Sequence, residues 1–271
     1  MYLNMNRNAH TPSLGDPEEW HSLTDHLTAV ADKAGKFGSK FNLGDVCHFM
    51  GLLHDVGKAD PSFQDYLLKC AAGRKLKSTP HAATGAEAAS SMLGVFTLAI
   101  LGHHAGLTNV SNFRSSLKLS SRYQLKDVRQ EVDAVISEVI DDSIIPQVRN
   151  VIKNISMDEC AYFVRMCFSA LVDADFLDTE HHFSPEITRL RGQYPDISYY
   201  KSALDEYMQQ KTSNVPNTPV NMARAKVLSS CREKAQCPPG VYRLTVPTGG
   251  GKTLSSLTFA LDHAVKWNKD R

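Results

Sequence analysis

A histidine and an aspartate stand side by side at His54 and Asp55, at the end of an apolar run and just before Gly57 and Lys58. Apolar residues at three- and four-residue steps predict a buried helix here, with both polar side chains in its last turn and its end at Gly57. A buried carboxylate beside an imidazole is costly unless positive charge compensates it, and a metal ion is the usual source of that charge. Taken alone, however, a surface pair is the commoner explanation of these residues.

Further histidines and carboxylates make this pair part of a candidate metal centre. The other members are His26 upstream and, downstream, His81, the doublet His103-His104 and the aspartates Asp173, Asp175 and Asp178. Five histidines and two carboxylates in this order could build two adjacent metal sites, with Asp55 as the oxygen donor that bridges them. Imidazole-rich sites suit manganese, iron, cobalt, nickel or zinc better than magnesium or calcium.

The aspartates at the end of the apolar helix predicted over 161–177 compete for one role. Residues two apart on a helix point in different directions, so Asp173 and Asp175 cannot easily face the same metal. The residues alone leave this choice open.

Together, these motifs resemble the HD-type nuclease domain of the CRISPR-associated nuclease-helicase of type I interference systems. The resemblance covers 20–180 and continues into the last fifty residues. It rests on Gly-Leu-Leu-His-Asp-Val-Gly-Lys at 51–58, on His81 followed by Gly85-Ala86-Glu87-Ala88, on the His103-His104 doublet and on Asp-Ala-Asp-Phe-Leu-Asp-Thr-Glu at 173–180.

The resemblance implies two divalent transition-metal ions, manganese, cobalt, nickel or iron, with zinc and magnesium less expected. One ion would take His26, His54, Asp55 and Asp175, with Asp173 in reserve for Asp175. The other would take Asp55, His81, His103 and His104. Two such ions could bind a scissile phosphate and generate hydroxide from water, here on single-stranded DNA.

Lys58 is the second candidate catalytic residue beside Asp55. It lies one helical turn beyond His54, so it is free to bind non-bridging phosphate oxygens and offset charge in the transition state. The alternative is an ordinary exposed lysine.

The elements predicted around these residues are helices, and no strand pattern of consequence precedes Pro239. The first twenty residues are polar and predict a loop, and a helix over 20–35 places Leu23, Leu27, Val30 and Ala34 on one face. The fold class expected is therefore all-α, a helical bundle of the HD type around a two-metal site, followed by the start of an α/β domain. The remaining histidines are expected to ligate nothing: His10 and His48 are ordinary, His21 is solvated, and His181 and His182 lie in a polar exit.

The domain boundaries predicted are 1–211 for the HD nuclease domain, 212–219 for a linker rich in Thr, Asn and Pro, and 220–271 for the start of a helicase domain. A short buried strand is expected over 241–246, followed by a phosphate-cradling loop and a helix. In that loop the amides of Gly249, Gly250 and Gly251 would hold phosphates, Lys252 would pair with them and Thr253 would reach magnesium.

This loop looks like the first motif of a superfamily-two helicase, although Val246 stands where that pattern prefers Gly or Ala. ATP and magnesium are expected only in the full-length protein, because no Walker B acid or second lobe follows the loop in these 271 residues. Helicase or ATPase activity is therefore not expected from the chain itself.

Composition limits the partners. The formal net charge is +1, so nucleic acid must be met by a local basic surface. One candidate is the stretch 107–129, whose basic residues and interleaved aromatics could track a single strand or merely form a solvated face. Its members are Arg114, Lys118, Arg122, Lys126 and Arg129, with Phe113 and Tyr123.

The chain shows no signal peptide and no stretch long enough to span a bilayer, so a cytoplasmic protein without a membrane partner is expected. Its six cysteines form no Cys-x-x-Cys pair, which predicts reduced, mostly buried thiols. In the full-length protein, the resemblance adds a guide-RNA surveillance complex as a partner.

Two other functions remain open at this point. One is an HD-type phosphohydrolase of nucleotides or other small phosphoesters, against which the histidine doublet and the helicase-like loop argue. The other is a nucleotide-binding motor fragment whose metal site is structural. The residues do not decide the physiological metal, endonuclease against exonuclease action, or the oligomeric state.

Overall fold

The computed structural model describes residues 7–12, 19–77, 79–109, 111–113, 115, 117 and 121–269. Nearly all of the regular secondary structure in the described chain is helical, which confirms the all-α class. Its helices are α1 (Leu23–Gly38), α2 (Gly44–Leu53), α3 (Pro61–Ala71), α4 (Ala82–Leu93), α5 (Thr97–Gly102), α6 (Lys126–Val139), α7 (Ile144–Lys153), α8 (Met157–Phe183), α9 (Pro185–Leu190), α10 (Ile197–Thr212), α11 (Pro219–Lys234) and α12 (Lys252–Lys266). Short 3-10 turns cover Ser39–Phe41, Val56–Ala59 and Gly94–Phe96.

The first twenty residues are not only a loop. β1 (Asn8–His10) pairs antiparallel with β2 (His21–Ser22), and these two are the only strands among the described residues. The prediction missed them because each is too short to show an alternating pattern. This small hairpin places His10 and His21 next to each other.

The chain divides into two units, Met1–Leu190 and Arg191–Arg271. The division falls before α10, whereas the sequence prediction placed that helix in the first domain. Within the second unit α10 packs on α12, and Lys201 of α10 lies 3.3 Å from Asp262 of α12. This packing and the ionic contact therefore group α10 with the chain that follows it.

The core of the first unit forms where α1 packs along α2 and against α8. α1 begins after Ser22, whose hydroxyl accepts a hydrogen bond from the Asp25 amide. The predicted apolar face of this helix is confirmed, since its members are fully buried. They are Leu23, Leu27, Val30 and Ala34.

Gly51 allows the two central helices to approach closely. A Cβ atom on Gly51 would lie 2.4 Å from the Cα atom of Ala31 on α1, which is well inside van der Waals contact. Any side chain here would push α1 away from α2. The separation of these helices matters because His26 on α1 faces the residues at the end of α2.

The end of α2 differs from the prediction. The helix stops at Leu53, not at Gly57, and His54 and Asp55 lie in the turn that follows it. Gly57 is part of the 3-10 turn Val56–Ala59, where a Cβ atom would lie 2.2 Å from the carbonyl oxygen of His81. Gly57 is therefore required for the close approach of two site segments, and it does not end the helix.

The segment Ala82–Gly102 is long and apolar enough to cross a membrane by length and composition, which corrects the expectation that no such stretch exists. In the structure it is divided between α4 and α5 by a turn in which Gly94 has a φ of 53°. Within the first unit 61% of the apolar window is buried, and α4 packs against α5. The segment is accounted for as part of the core.

The buried strand predicted over 241–246 is absent. These residues have no regular secondary structure, and Val241, Tyr242 and Leu244 are exposed. A strand needs a neighbouring strand to satisfy its amides and carbonyls, and the second unit offers none among its described residues. The prediction of an α/β start is wrong for this chain at that element.

The close contact at Gly51 can be tested by its effect on stability. Gly51→Ala is expected to lower the free energy of unfolding by about 1–3 kcal/mol, because the added methyl group collides with the α1 backbone. Urea denaturation followed by circular dichroism measures the change. Gly240→Ala is the control, because a Cβ there meets only one atom, at 3.9 Å. Equal losses for the two variants would contradict this account.

Candidate metal centre

The predicted ligands converge on one point in the first unit. His26 lies on α1 and Asp175 on α8, and all the others flank helix ends. His54 and Asp55 follow α2, His81 precedes α4, and His103 and His104 follow α5. Turns at the ends of packed helices thus carry most of the polar groups.

The donor atoms form two groups in which every atom lies within 4.8 Å of the others. One group comprises His26, His54, Asp55 and Asp175, and the other comprises Asp55, His81, His103 and His104. These are the two sets that the family resemblance implied. Asp55 belongs to both, and it is fully buried.

The two oxygens of Asp55 face different groups. Oδ2 lies 3.4 Å from His54 Nε2 and 3.5 Å from His26 Nε2. Oδ1 lies 3.2 Å from His81 Nε2 and 3.3 Å from His103 Nε2. The carboxylate therefore stands between two clusters of imidazole nitrogens, as a bridging ligand would.

The remaining carboxylate of the first group is Asp175. Its Oδ1 lies 3.5 Å from His26 Nε2 and 3.7 Å from His54 Nε2. Asp173 is exposed on the same helix and joins neither group. The geometry therefore favours Asp175 over Asp173 as the ligand candidate.

The imidazole rings are held by their Nδ1 atoms. His54 Nδ1 lies 2.8 Å from the Gly51 carbonyl oxygen, and His103 Nδ1 lies 2.6 Å from that of Ile100. A carbonyl oxygen only accepts, so both Nδ1 atoms donate and hold the ring proton. The Nε2 lone pair is then left free and aimed at Asp55, which is the arrangement of metal-binding histidines.

The centre meets a test of fit for a divalent ion. Nε2 of His26, His54 and His103 and both oxygens of Asp55 are buried. Apart from the Lys58 ammonium, 2.7 Å from Asp55 Oδ2, none of these atoms has a hydrogen-bond partner among the described residues. Acceptors that face one another at these distances need a cation between them. Donor atoms of one ion, each at about 2.1 Å from it, lie roughly 3–3.5 Å apart, which matches the spacing seen here.

The electrostatics favour positive charge at this point. Burial by itself raises the pKa of Asp55, but the charges of Lys58 and His54 lower it well below its usual range. Burial likewise lowers the pKa of His54, but the negative charge of Asp55 and the contact with Asp175 raise it to about 10. The Asp55 carboxylate is thus held in its ionised form, which is the form that binds a metal ion.

Lys58 is not an exposed lysine. It is buried, and its Nζ lies 2.7 Å from Asp55 Oδ2. A second neighbour is His10, whose Nε2 lies 3.3 Å away. The ammonium group is therefore already at the centre, within reach of anything bound beside Asp55.

Two further residues of the site escaped the sequence analysis, and a third, Asp178, was named there only as one of three aspartates without a role of its own. His10 and His21 were expected to be ordinary and solvated, but their Nδ1 atoms lie 3.0 Å apart and His21 Nε2 lies 3.4 Å from Asp178 Oδ2. Asp178 also accepts from His26 Nδ1 at 2.8 Å and from Lys33 Nζ at 2.8 Å. Asp178 follows the ligand candidate Asp175 by three residues, so helical spacing could have identified it.

The glycine-rich loop lies in the second unit. Gly249 and Gly251 both have a φ of 82°, and α12 begins at Lys252 with Thr253 exposed after it. A pocket of about 550 Å³ lies beside Gly249, Gly251, Lys252 and Thr253 and is also lined by Lys211 and Arg224. Gly250 packs against Val246 instead of lining the pocket. The loop and helix are present, and nucleotide binding there stays a prediction.

The basic stretch over 107–129 is partly engaged within the molecule. Arg122 Nε donates to Asp60 Oδ2 at 2.6 Å, and the Arg129 guanidinium lies over the Tyr123 ring at 5.2 Å. Arg114 and Lys118 lie outside the described residues. The six cysteines are free thiols, but only half of them are buried, not most as predicted. The buried ones are Cys47, Cys167 and Cys231.

Asp178 is expected to control metal affinity through His26. Asp178→Asn should weaken divalent-metal binding by about 10–100-fold, because the ring of His26 loses the carboxylate that orients it. Calorimetric titration of the metal-free protein measures the effect. Asp173→Asn, an exposed aspartate on the same helix, should bind metal like the wild type, and equal weakening in both variants would contradict the assignment.

Comparison with known proteins identifies the family. The family model described as "Cas3, HD domain" matches residues 11–170, more than half of the chain. The match includes the centre from His26 to His104 and ends five residues before Asp175. No curated protein matches the chain significantly. With its His/Asp centre, the chain belongs to the Cas3 HD-domain family, the metal-dependent nucleases of CRISPR type I systems.

Proposed function

We propose that this chain hydrolyses phosphodiester bonds of single-stranded DNA with two divalent transition-metal ions, manganese, cobalt, nickel or iron. The observation that carries the proposal is the position of Asp55, with one carboxylate oxygen toward each cluster of imidazole nitrogens. Ions bound in this way supply Lewis-acid chemistry for attack on a phosphodiester. The ligands proposed are those of the two donor groups.

The protein's own residues have separate tasks in this reaction. Asp55 holds the two clusters together, and the Nδ1 contacts of His54 and His103 keep their rings in one orientation. Lys58 places a positive charge 2.7 Å from Asp55, where it can bind a non-bridging phosphate oxygen. Asp55 and Lys58 are therefore the proposed catalytic residues.

Access to the centre supports a substrate that approaches from outside. His104 is exposed and Asp175 is partly exposed, whereas the other donors are buried. A phosphate can thus reach the two groups at these edges without unfolding of the core. Lys126, which is exposed at the start of α6, is a member of the basic stretch that we propose to guide a DNA strand.

The partners and the location of this nuclease are also proposals. In the full-length protein we place this nuclease next to an ATP-dependent helicase, with a guide-RNA surveillance complex as its partner and the cytoplasm as its location. The turn that precedes α12, with Lys252 at the helix start, supports a nucleotide phosphate site in the second unit. ATP and magnesium are the ligands that we propose for this site.

Cleavage of circular single-stranded DNA tests the proposal, because a circle has no ends and reports endonuclease action directly. Metal-stripped protein receives manganese, cobalt, nickel, iron, zinc or magnesium in turn. Cleavage is expected with at least one of the first four, and Asp55→Ala should lose both metal and cleavage. Hydrolysis of nucleotides or cyclic dinucleotides without DNA cleavage would favour a small-molecule phosphohydrolase instead.

Substitution of Lys58 tests whether catalysis can be lost while metal binding is retained. Lys58→Ala should retain the metal and cleave about 100-fold more slowly, because it loses only charge stabilisation in the transition state. Metal content by mass spectrometry and single-turnover rates are measured on the same sample. Lys69→Ala, at a partly exposed lysine on α3, is the control and should match the wild type. Loss of metal in Lys58→Ala would contradict the assigned role.

A further inference from the structure

His10 is the last residue of β1 and lies beside the candidate metal centre. Its ring contacts Lys58 through Nε2 and His21 through Nδ1. The ring centroids of His10 and His26 are 4.9 Å apart, edge to face. His10 precedes the residues matched by the family model, which begin at 11. The hairpin therefore delivers an imidazole to the centre from a part of the chain outside that match.

The hydrogen-bonding roles along this contact follow from the donor inventory. The Lys58 ammonium has donors only, so His10 Nε2, 3.3 Å from its Nζ, must accept. The ring proton of His10 is then on Nδ1 and is donated to His21 Nδ1 at 3.0 Å. His21 in turn carries its proton on Nε2, the atom that lies 3.4 Å from Asp178 Oδ2.

With this assignment, polar contacts connect Lys58 to the ligand candidate His26, and each contact joins one donor to one acceptor. The residues in between are His10, His21 and Asp178. Asp178 is an acceptor only, and besides His21 it receives the Nδ1 proton of His26 at 2.8 Å. Lys33 Nζ contacts its other oxygen at 2.8 Å. One carboxylate therefore fixes the rings of both His26 and His21, and His21 fixes the ring of His10.

Lys58 needs such support. A lysine side chain is flexible, and its ammonium is a point charge that takes its direction from its acceptors. The two near acceptors here are Asp55 Oδ2 at 2.7 Å and His10 Nε2 at 3.3 Å. If both Asp55 oxygens serve metal ions, His10 remains as a neutral acceptor that holds Nζ without competing for those ions.

The geometry points to His10 as a positioning residue that holds the Lys58 ammonium at the reaction centre, with His21 and Asp178 fixing the His10 ring. The inference rests on the proposed function, because it assigns Lys58 to phosphate binding. It gives the hairpin β1–β2 a role in the reaction, and it makes the His10 tautomer, with its proton on Nδ1, part of the active arrangement.

A third metal site is the competing explanation, since donor atoms of His10, His21 and His26 lie within 4.8 Å of one another. His26 cannot serve it, because its Nδ1 donates to Asp178 and its Nε2 faces Asp55 and Asp175. Two nitrogens 3.0 Å apart on His10 and His21 are already satisfied by each other. The cluster is therefore a hydrogen-bonded support and not an independent site.

A variant series at His10 separates its two contacts. Gln places an acceptor near the position of Nε2, and Asn places a donor near that of Nδ1, so His10→Gln retains the Lys58 contact and His10→Asn retains only the His21 contact. His10→Ala and His10→Asn are expected to lower kcat about tenfold with KM and metal content unchanged, the size of one lost orienting hydrogen bond. His10→Gln should recover most of the rate. His181→Gln, at an exposed histidine, is the control and should match the wild type.

A double-mutant cycle decides whether His10 acts through Lys58. The variant with both His10→Ala and Lys58→Ala should cleave no more slowly than Lys58→Ala alone, because the positioned group is already gone. Rate losses that multiply would overturn the inference, as would loss of metal in His10→Ala. Equal loss in His10→Gln and His10→Ala would also overturn it, since a merely structural role would produce that result.

A readout without catalysis keeps the inference separate from the proposed function. In metal-free protein with ¹⁵N-labelled histidine, the ring spectra are expected to show His10 protonated on Nδ1 and His21 on Nε2. In Lys58→Ala the His10 signal should shift. A wild-type protein that cleaves no DNA would end the proposed function, whereas a His10 proton on Nε2 would end this inference whatever the activity.

Discussion

The centre of the first unit is built around a solvent-shielded carboxylate whose close partners among the described residues are one ammonium group and four imidazoles. Asp55 is fully buried, and apart from these groups neither of its oxygens has a hydrogen-bond partner in the described part of the chain. Burying an ionised carboxylate lowers the free energy of unfolding by roughly several kcal/mol unless cations surround it, because the charge loses its hydration. Lys58 provides one positive charge at 2.7 Å, and the surrounding imidazoles provide the ligands for more. The fold therefore favours the binding of cations at the His/Asp centre around Asp55.

Most of the ligand candidates come from turns at helix ends, and only His26 and Asp175 lie on the helices themselves. His54 and His103 each follow a helix, and the Nδ1–H of each donates a hydrogen bond to the carbonyl oxygen three residues earlier. The same local hydrogen bond therefore orients both rings toward Asp55. Close backbone approach at Gly51 and Gly57 brings the segments that carry these rings within reach of one another. The small hairpin adds an outer layer in which His10 and His21 contact Lys58 and Asp178. Helix packing, close backbone approach and polar contacts thus together fix the positions of the side chains around Asp55.

Much of the centre could be predicted from the sequence because its members lie in distinctive local motifs. The adjacent pair at 54–55, the doublet at 103–104 and the helical face of α1 all carried usable signals. The choice of Asp175 over Asp173 came from the family resemblance, because the residues alone left it open. His10 gave no signal, because its role depends on a pairing of two very short strands and on a lysine far along the chain. The strand expected over 241–246 failed for a related reason: local apolar composition does not supply the neighbour that a strand requires.

The most direct test of this account is the position of metal ions around Asp55. Crystals grown with manganese, with anomalous diffraction recorded near the manganese edge, would locate the ions independently of activity. The account predicts two anomalous peaks, one at each oxygen of Asp55, the first beside His26, His54 and Asp175 and the second beside His81, His103 and His104. A single peak, or two peaks of which neither contacts Asp55, would contradict the claim that this carboxylate bridges a two-metal centre.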